Sequence, residues 1–128
     1  VSISPLLPDP TFAGRSLTPF VRDETPEEWR DTLFTQCDGV ELFYSQRSVR
    51  TAAWHYVFNG FDEDELYNRR LDPGQTMNRI HEPALAPDIR DLCQRWWRFA
   101  AAHDDTMFNP YWTVGIMPHG PADGLRVP

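Results

Sequence analysis

Residues 84–103, ALAPDIRDLCQRWWRFAAAH, are the one stretch of this sequence regular and long enough to make a full helix. Leu85, Ile89, Leu92, Cys93, Trp96, Phe99 and Ala100 recur at the three-and-four spacing of one helical face. Arg90, Asp91, Gln94, Arg95 and Arg98 take the other face. Such a helix needs a second layer to cover its apolar stripe. The segments upstream supply that layer as β-strands. Residues 31–38 (DTLFTQCD) alternate, 42–51 (LFYSQRSVRT) are rich in β-branched and aromatic residues, and 53–59 (AWHYVFN) follow at once. Asn59-Gly60 is a turn dipeptide, and Glu65–Asn68 completes a meander. The fold class expected is therefore α+β: a small four-stranded antiparallel sheet packed on one long C-terminal helix.

Proline punctuates both ends. Residues 1–26 are expected to form an extended arm clamped by Leu6, Leu7, Phe12, Leu17 and Phe20, and 104–128 a tail with room for a strand at Tyr111–Met117. The α+β unit lies between, over 27–103. Thr25-Pro26-Glu27-Glu28 predicts one helical turn through Arg30. Asp72-Pro73-Gly74-Gln75 predicts another, ending near Asn78, with Gln75 reaching back as a capping-box partner.

With 12 basic and 19 acidic residues the formal charge is −7, which opposes nucleic acid or an anionic membrane as partner. All the basic residues are Arg, as codon bias in a GC-rich bacterial genome would produce. Cys37 and Cys93 make neither a disulfide framework nor a zinc site. No apolar run approaches the ~20 residues of a membrane span, and no leader is visible, so a cytoplasmic location is expected. A first residue of Val leaves room for an excised piece of a longer protein.

His55, His81, His103 and His119 lack mutual ligand spacing, so no metal site is expected in this chain. His55, between Trp54 and Tyr56, reads as a hydrogen-bonded structural histidine ahead of a catalytic base. Asp62–Glu65 lacks the oxygen spacing of a calcium loop and reads as a solvated acidic loop. Trp96 and Trp97 point about 100° apart, so one of them is expected to stay exposed unless a partner covers it. Residues 109–120 (NPYWTVGIMPHG) are aromatic and bounded by Pro and Gly. They suit a segment folded over a site or into a neighbouring subunit, set against a plain tail.

Several stretches, in order, carry a family resemblance. They are Gly14–Phe20 (GRSLTPF), Trp29-Arg30-Asp31, Arg47–Thr51 (RSVRT), Trp54–Val57 (WHYV), Glu65-Leu66-Tyr67, Asp72-Pro73, Asn78 and the Trp-bearing helix. Over residues 10 to about 103 the chain resembles the C-terminal subdomain of the sulfatases and phosphonate monoester hydrolases of the alkaline phosphatase superfamily. That family folds a small antiparallel sheet onto a C-terminal helix beside its catalytic α/β domain. Its nucleophile, a Cys or Ser in C/S-x-P-x-R, and its metal ligands lie upstream of the GRSL motif. Neither Cys37 nor Cys93 stands in such a motif. The sequence departs from the family pattern at Asn68-Arg69, where Asp-Leu is usual, at Arg79, where an apolar residue is usual, and at His55, where Lys is usual.

The resemblance thus implies a non-catalytic portion of a metal-dependent sulfate ester hydrolase. A divalent metal of calcium type would belong to the parent catalytic domain, with no cofactor in this chain. Expected partners are that catalytic domain, in the same or a separate chain, and further copies of this chain. Arg50, His55, Tyr111, Trp112 and His119 are the candidates for the substrate-pocket rim. Trp96, Trp97, Arg69 and Arg79 are the candidates for an interface. Two other readings are a free-standing binding or assembly module derived from such a tail, and a small autonomous enzyme using His55 with a nearby carboxylate. For the last, no nucleophile–base–orienter set is visible.

Overall fold

The computed structural model describes residues 14–39, 45–60 and 62–105. Within them the elements run α1 (Thr18–Val21), β1 (Leu33–Cys37), β2 (Gln46–Arg50), β3 (Trp54–Asn59) and β4 (Glu65–Asn68). A 3-10 turn (Pro83–Leu85) then leads into α2 (Ala86–Ala102). The strands pair antiparallel in chain order, β1-β2-β3-β4. The expected α+β sandwich holds.

Register places Phe34, Val49, Tyr56 and Leu66 in one row across the sheet. This row and Phe58 meet Ile89, Leu92, Cys93, Trp96 and Ala100 of α2 to form the core. Each fully buried side chain of this size contributes roughly 1.5–3 kcal/mol of transfer free energy. Phe34 stacks on Phe99 at 4.1 Å between ring centroids, and Phe99 in turn stacks on His103 at 4.0 Å. Because side chains alternate along a strand, the residues flanking the row face away from α2. Asn59-Gly60 makes the β3 exit turn as expected. The Gly60 N–H donates to Ser45 O, and a Cβ on Gly60 would lie 3.1 Å from that same oxygen.

Several local expectations fail. Residues 27–28 form a bend, and the single helical turn lies earlier, at Thr18–Val21. An isolated turn is unfavourable unless packing compensates it. Phe20 has Trp29 edge-on at 4.7 Å, whereas Glu27 and Glu28 are exposed and have no apolar face to bury. Leu17, expected as a clamp, is 62% exposed, while Leu6, Leu7 and Phe12 lie outside the described residues.

Residues 72–78 form a tight turn and no helix. Asp72 does cap it, accepting the Thr76 and Met77 N–H groups at 2.7 and 2.9 Å. Gln75, however, takes φ 53°, a left-handed conformation that stops helical propagation, and its side chain points elsewhere.

Finally, Trp96 and Trp97 are both buried, at 2% and 5% exposure. Their rings meet edge-on at 4.4 Å, so the buried face of α2 is wide enough to hold two adjacent positions.

Polar groups also lie within the core. Arg47, two residues from Val49 on the helix side of the sheet, donates Nη1 to Asp38 at 2.6 Å and also pairs with Asp105 beyond α2. The Tyr56 hydroxyl donates to Asp64 Oδ2 at 2.6 Å. At the outer margin of β4, Asn78 Oδ1 accepts the Leu66 N–H at 2.9 Å and Asn78 Nδ2 donates to Asp64 O at 3.1 Å. Arg79 N–H adds a 2.8 Å bond to Leu66 O.

Candidate functional site

The connection between β2 and β3 is closed by Thr51. Its hydroxyl accepts the N–H groups of Trp54 and Ala53 at 3.0 and 3.3 Å, and its own N–H donates to Trp54 O at 2.8 Å. This tight closure sets Arg50 directly opposite His55, and His55 opposite Tyr67 on β4. All three flank the core row and therefore lie on the face away from α2. Arg69 straps the same end of the sheet: its N–H donates to Ala53 O at 2.8 Å, and its Nη1 donates to Thr51 O. The Asp72-capped turn then brings the Gln75 side-chain oxygen to His55 Nδ1.

The electrostatics of this end are cationic. Burial holds the His55 pKa below its ordinary value, and the Arg50 and Arg69 charges push the same way. The contact with Gln75 and the more distant Glu65 oppose that shift. Tyr67 donates its hydroxyl to Glu65 Oε2 at 2.7 Å, and that bond is the main reason its phenol is pushed up to about 12. The Arg50 Nε atom is buried and has no hydrogen-bond acceptor among the described residues.

Of the rim candidates, Arg50 and His55 are thus brought together, while Tyr111, Trp112 and His119 lie outside the described residues. Of the interface candidates, Trp96 and Trp97 are in the core. Arg69 belongs to the hairpin end, and Arg79 sits beside β4, paired with Glu82 through two 2.7 Å bonds. The residue that sequence reasoning placed wrongly is Gln75. It was read as a cap, yet it stands where a carboxylate would have to orient His55 for base catalysis. No local pattern links it to His55, twenty residues upstream.

Cys37 is exposed and Cys93 buried, and the two are not joined as a disulfide. Among the described residues no group of three or more His, Cys, Asp or Glu side chains could hold a metal ion. No helix among them is long and apolar enough to cross a membrane.

No family model matches the chain. A multifunctional alkaline phosphatase superfamily protein, PehA, of Trinickia caryophylli is 27% identical over 112 aligned positions, covering 77% of this chain and 22% of that protein. An uncharacterized protein of Haemophilus influenzae is 33% identical over 73 positions, covering 57% of this chain and 37% of that one. Among solved structures, a 2-O GAG sulfatase superposes with a TM-score of 0.68 at 20% identity, over 80% of this chain and 22% of its own. Another, solved with its substrate D-glucosamine-2-N,6-O-disulfate, gives 0.60 at 22% identity, over 72% and 20%. The fold is that of a sulfatase C-terminal subdomain. The chain spans about a fifth of the sulfatase and PehA chains it matches, and just over a third of the Haemophilus protein.

Proposed function

We propose that this chain is the non-catalytic C-terminal portion of a sulfatase-like hydrolase. It packs on a catalytic α/β domain and contributes Arg50 and His55, with Tyr111, Trp112 and His119 of the tail, to the rim of the substrate pocket. The observation that carries this reading is the match in extent: most of this chain aligns with about a fifth of each sulfatase. The parent reaction is metal-dependent hydrolysis of a sulfate ester. In this reading the nucleophile and the divalent ion, of calcium type, belong to the larger part. Residues 1–26 and 104–128 serve as arm and tail of the 27–103 unit, and Arg79 and Arg69 contribute to contacts with the catalytic domain or a second copy. A cytoplasmic location fits this reading.

An immunoblot of native extract with an antibody to this chain tests it. A band several times heavier than 14.9 kDa is expected. A band at 14.9 kDa would instead support a free-standing binding module. Chelator-sensitive aryl sulfate hydrolysis by the isolated chain would sink the non-catalytic reading.

A further inference from the structure

We propose that the end of the β2–β3 hairpin is an oxyanion site in which Arg50, Arg69 and His55 hold a sulfate- or phosphate-type group of the ligand. The inference rests on the rim reading above and gives that rim a ligand chemistry.

The argument begins with unmet donors. A guanidinium presents five N–H donors in a fixed fork and stays charged throughout the accessible pH range. Arg50 is half-buried, and its Nε lies out of water with no acceptor among the described residues. A buried N–H without an acceptor costs free energy, so this guanidinium is left short of full compensation, and an anion beside its outer N–H groups would offset that through charge. Arg22 and Arg70 stand in water, where hydration serves.

The neighbouring carboxylates do not complete it. Glu65 accepts the Tyr67 hydroxyl and an Asn59 Nδ2 hydrogen. Asp72 is engaged by the Thr76 and Met77 N–H groups and by the Thr76 hydroxyl. Arg69 has only Nη1 engaged by a described acceptor, the Thr51 carbonyl. Two cations therefore converge on His55 in a chain whose formal charge is −7.

Geometry selects the class of anion. Arg50 approaches from β2, Arg69 from beyond β4 and His55 from β3 between them. Donors from three directions suit a tetrahedral group with three terminal oxygens better than a planar carboxylate with two. His55 completes the set by taking up a proton. Gln75 Oε1 facing Nδ1 makes Nδ1 the protonated nitrogen of the neutral ring. Nε2 then becomes a donor only when the ring is charged, and a bound anion favours that state. The groups facing His55 are Arg50 from β2, Glu65 and Tyr67 from β4, Arg69 beyond it and Gln75 from the turn.

The test uses the full chain at about pH 6, near the ordinary histidine range. It is titrated with sulfate, phosphate and acetate at constant ionic strength, and the Arg50 Nε and His55 ring signals are followed by NMR. Saturable shifts with sulfate or phosphate are expected, with the His55 titration midpoint rising at saturation. Arg50→Gln and Arg69→Gln should each weaken binding roughly tenfold, the loss of one charge-assisted contact. Arg70→Gln, an equal charge change in water, should alter it less than about twofold. Arg50→Lys, which keeps the charge and removes the fork, should also weaken binding and guards against misfolding of the glutamine variant. No saturable binding, or binding indifferent to both Arg50 and Arg69, overturns the site. So does acetate binding as tightly as sulfate, which would mark a dock for a protein carboxylate. Native polypeptide size, which decides the reading above, has no bearing on these titrations, so the two can fail separately.

Discussion

Arg47 holds Asp105 with two parallel bonds, Nε to Oδ2 and Nη2 to Oδ1, each 2.8 Å long. The arginine side chain is 1% exposed and the carboxylate 9%. A contact between residues 58 positions apart thus ties β2 to the chain just past α2. Burial opposes the charge on Arg47, but the bonds to Asp105 and Asp38 outweigh it, and the net shift of its pKa is upward. Titration of the arginine itself therefore leaves this stabilisation intact below the ordinary arginine range and removes it only above.

Removing this cation takes away the bidentate partner of the Asp105 carboxylate and leaves Arg47's place in the core to an apolar side chain. Arg47→Met should cost about 3–5 kcal/mol in chemical denaturation. Asp38→Ala, at the half-exposed side of the same arginine, should cost no more than about 1 kcal/mol. Equal losses would mean that the Asp105 contact adds nothing of its own.

Tyr56 and Asp64 form a second buried pair with the opposite pH behaviour. Burial raises the Asp64 pKa above the usual carboxylate range, while the Tyr56 hydroxyl and the Asn59 N–H pull it partly back. A carboxyl raised on folding favours the folded state at acid pH, and that advantage fades as pH rises through the raised value. Tyr56→Phe removes one of the two groups stabilising the ionised form. It should cost about 1–2 kcal/mol near neutral pH and less in acid, read by thermal unfolding across a pH series.

Asp72 has the reverse sign. The Met77 N–H leads the bonds that hold its pKa below the ordinary range. The stabilisation is present above that range and is lost as pH falls through the lowered value. As pH falls through that lowered value the Thr76 and Met77 amides should lose their protection from hydrogen exchange. Asp72→Ala should expose the same two amides at neutral pH. Unchanged protection in that variant would contradict the capping role.

Trp96→Ala should cost about 3–5 kcal/mol, the range for deleting a buried aromatic ring. Leu71→Ala, at a position 80% exposed, should stay within about 0.5 kcal/mol. Urea midpoints for the two variants check the contrast.

The strands and α2 were legible because their signals are periodic. β4 has the expected bounds, and β1, β2 and β3 fall inside the expected runs. Arg47 and Arg50 also fall on opposite faces, as an odd spacing along a strand requires. What escaped was what depends on distant neighbours. Asp72-Pro73-Gly74-Gln75 carries every local sign of a helix start, yet the left-handed Gln75 ends it and sends the side chain to His55. The Thr18–Val21 turn depends on Trp29, and the burial of Trp97 on the breadth of the face that α2 presents. Of the site, Arg50, His55 and Arg69 were each named, but their convergence follows from strand register and the Thr51 closure, which composition does not reveal.

The stitching of β4 by Asn78 and Arg79 leaves the sheet with unlike margins. Among the described strands β1 pairs only with β2, and most of its residues are exposed. An open strand margin is a template for another strand. With Leu66 of β4 already bonded by its own chain, β1 is the margin among the described strands on which a further strand would pair. Two copies joined β1 to β1 would use up both open sides and form a closed two-fold pair. Such a pair would leave no second β1 margin, so pairing of this kind stops at two copies.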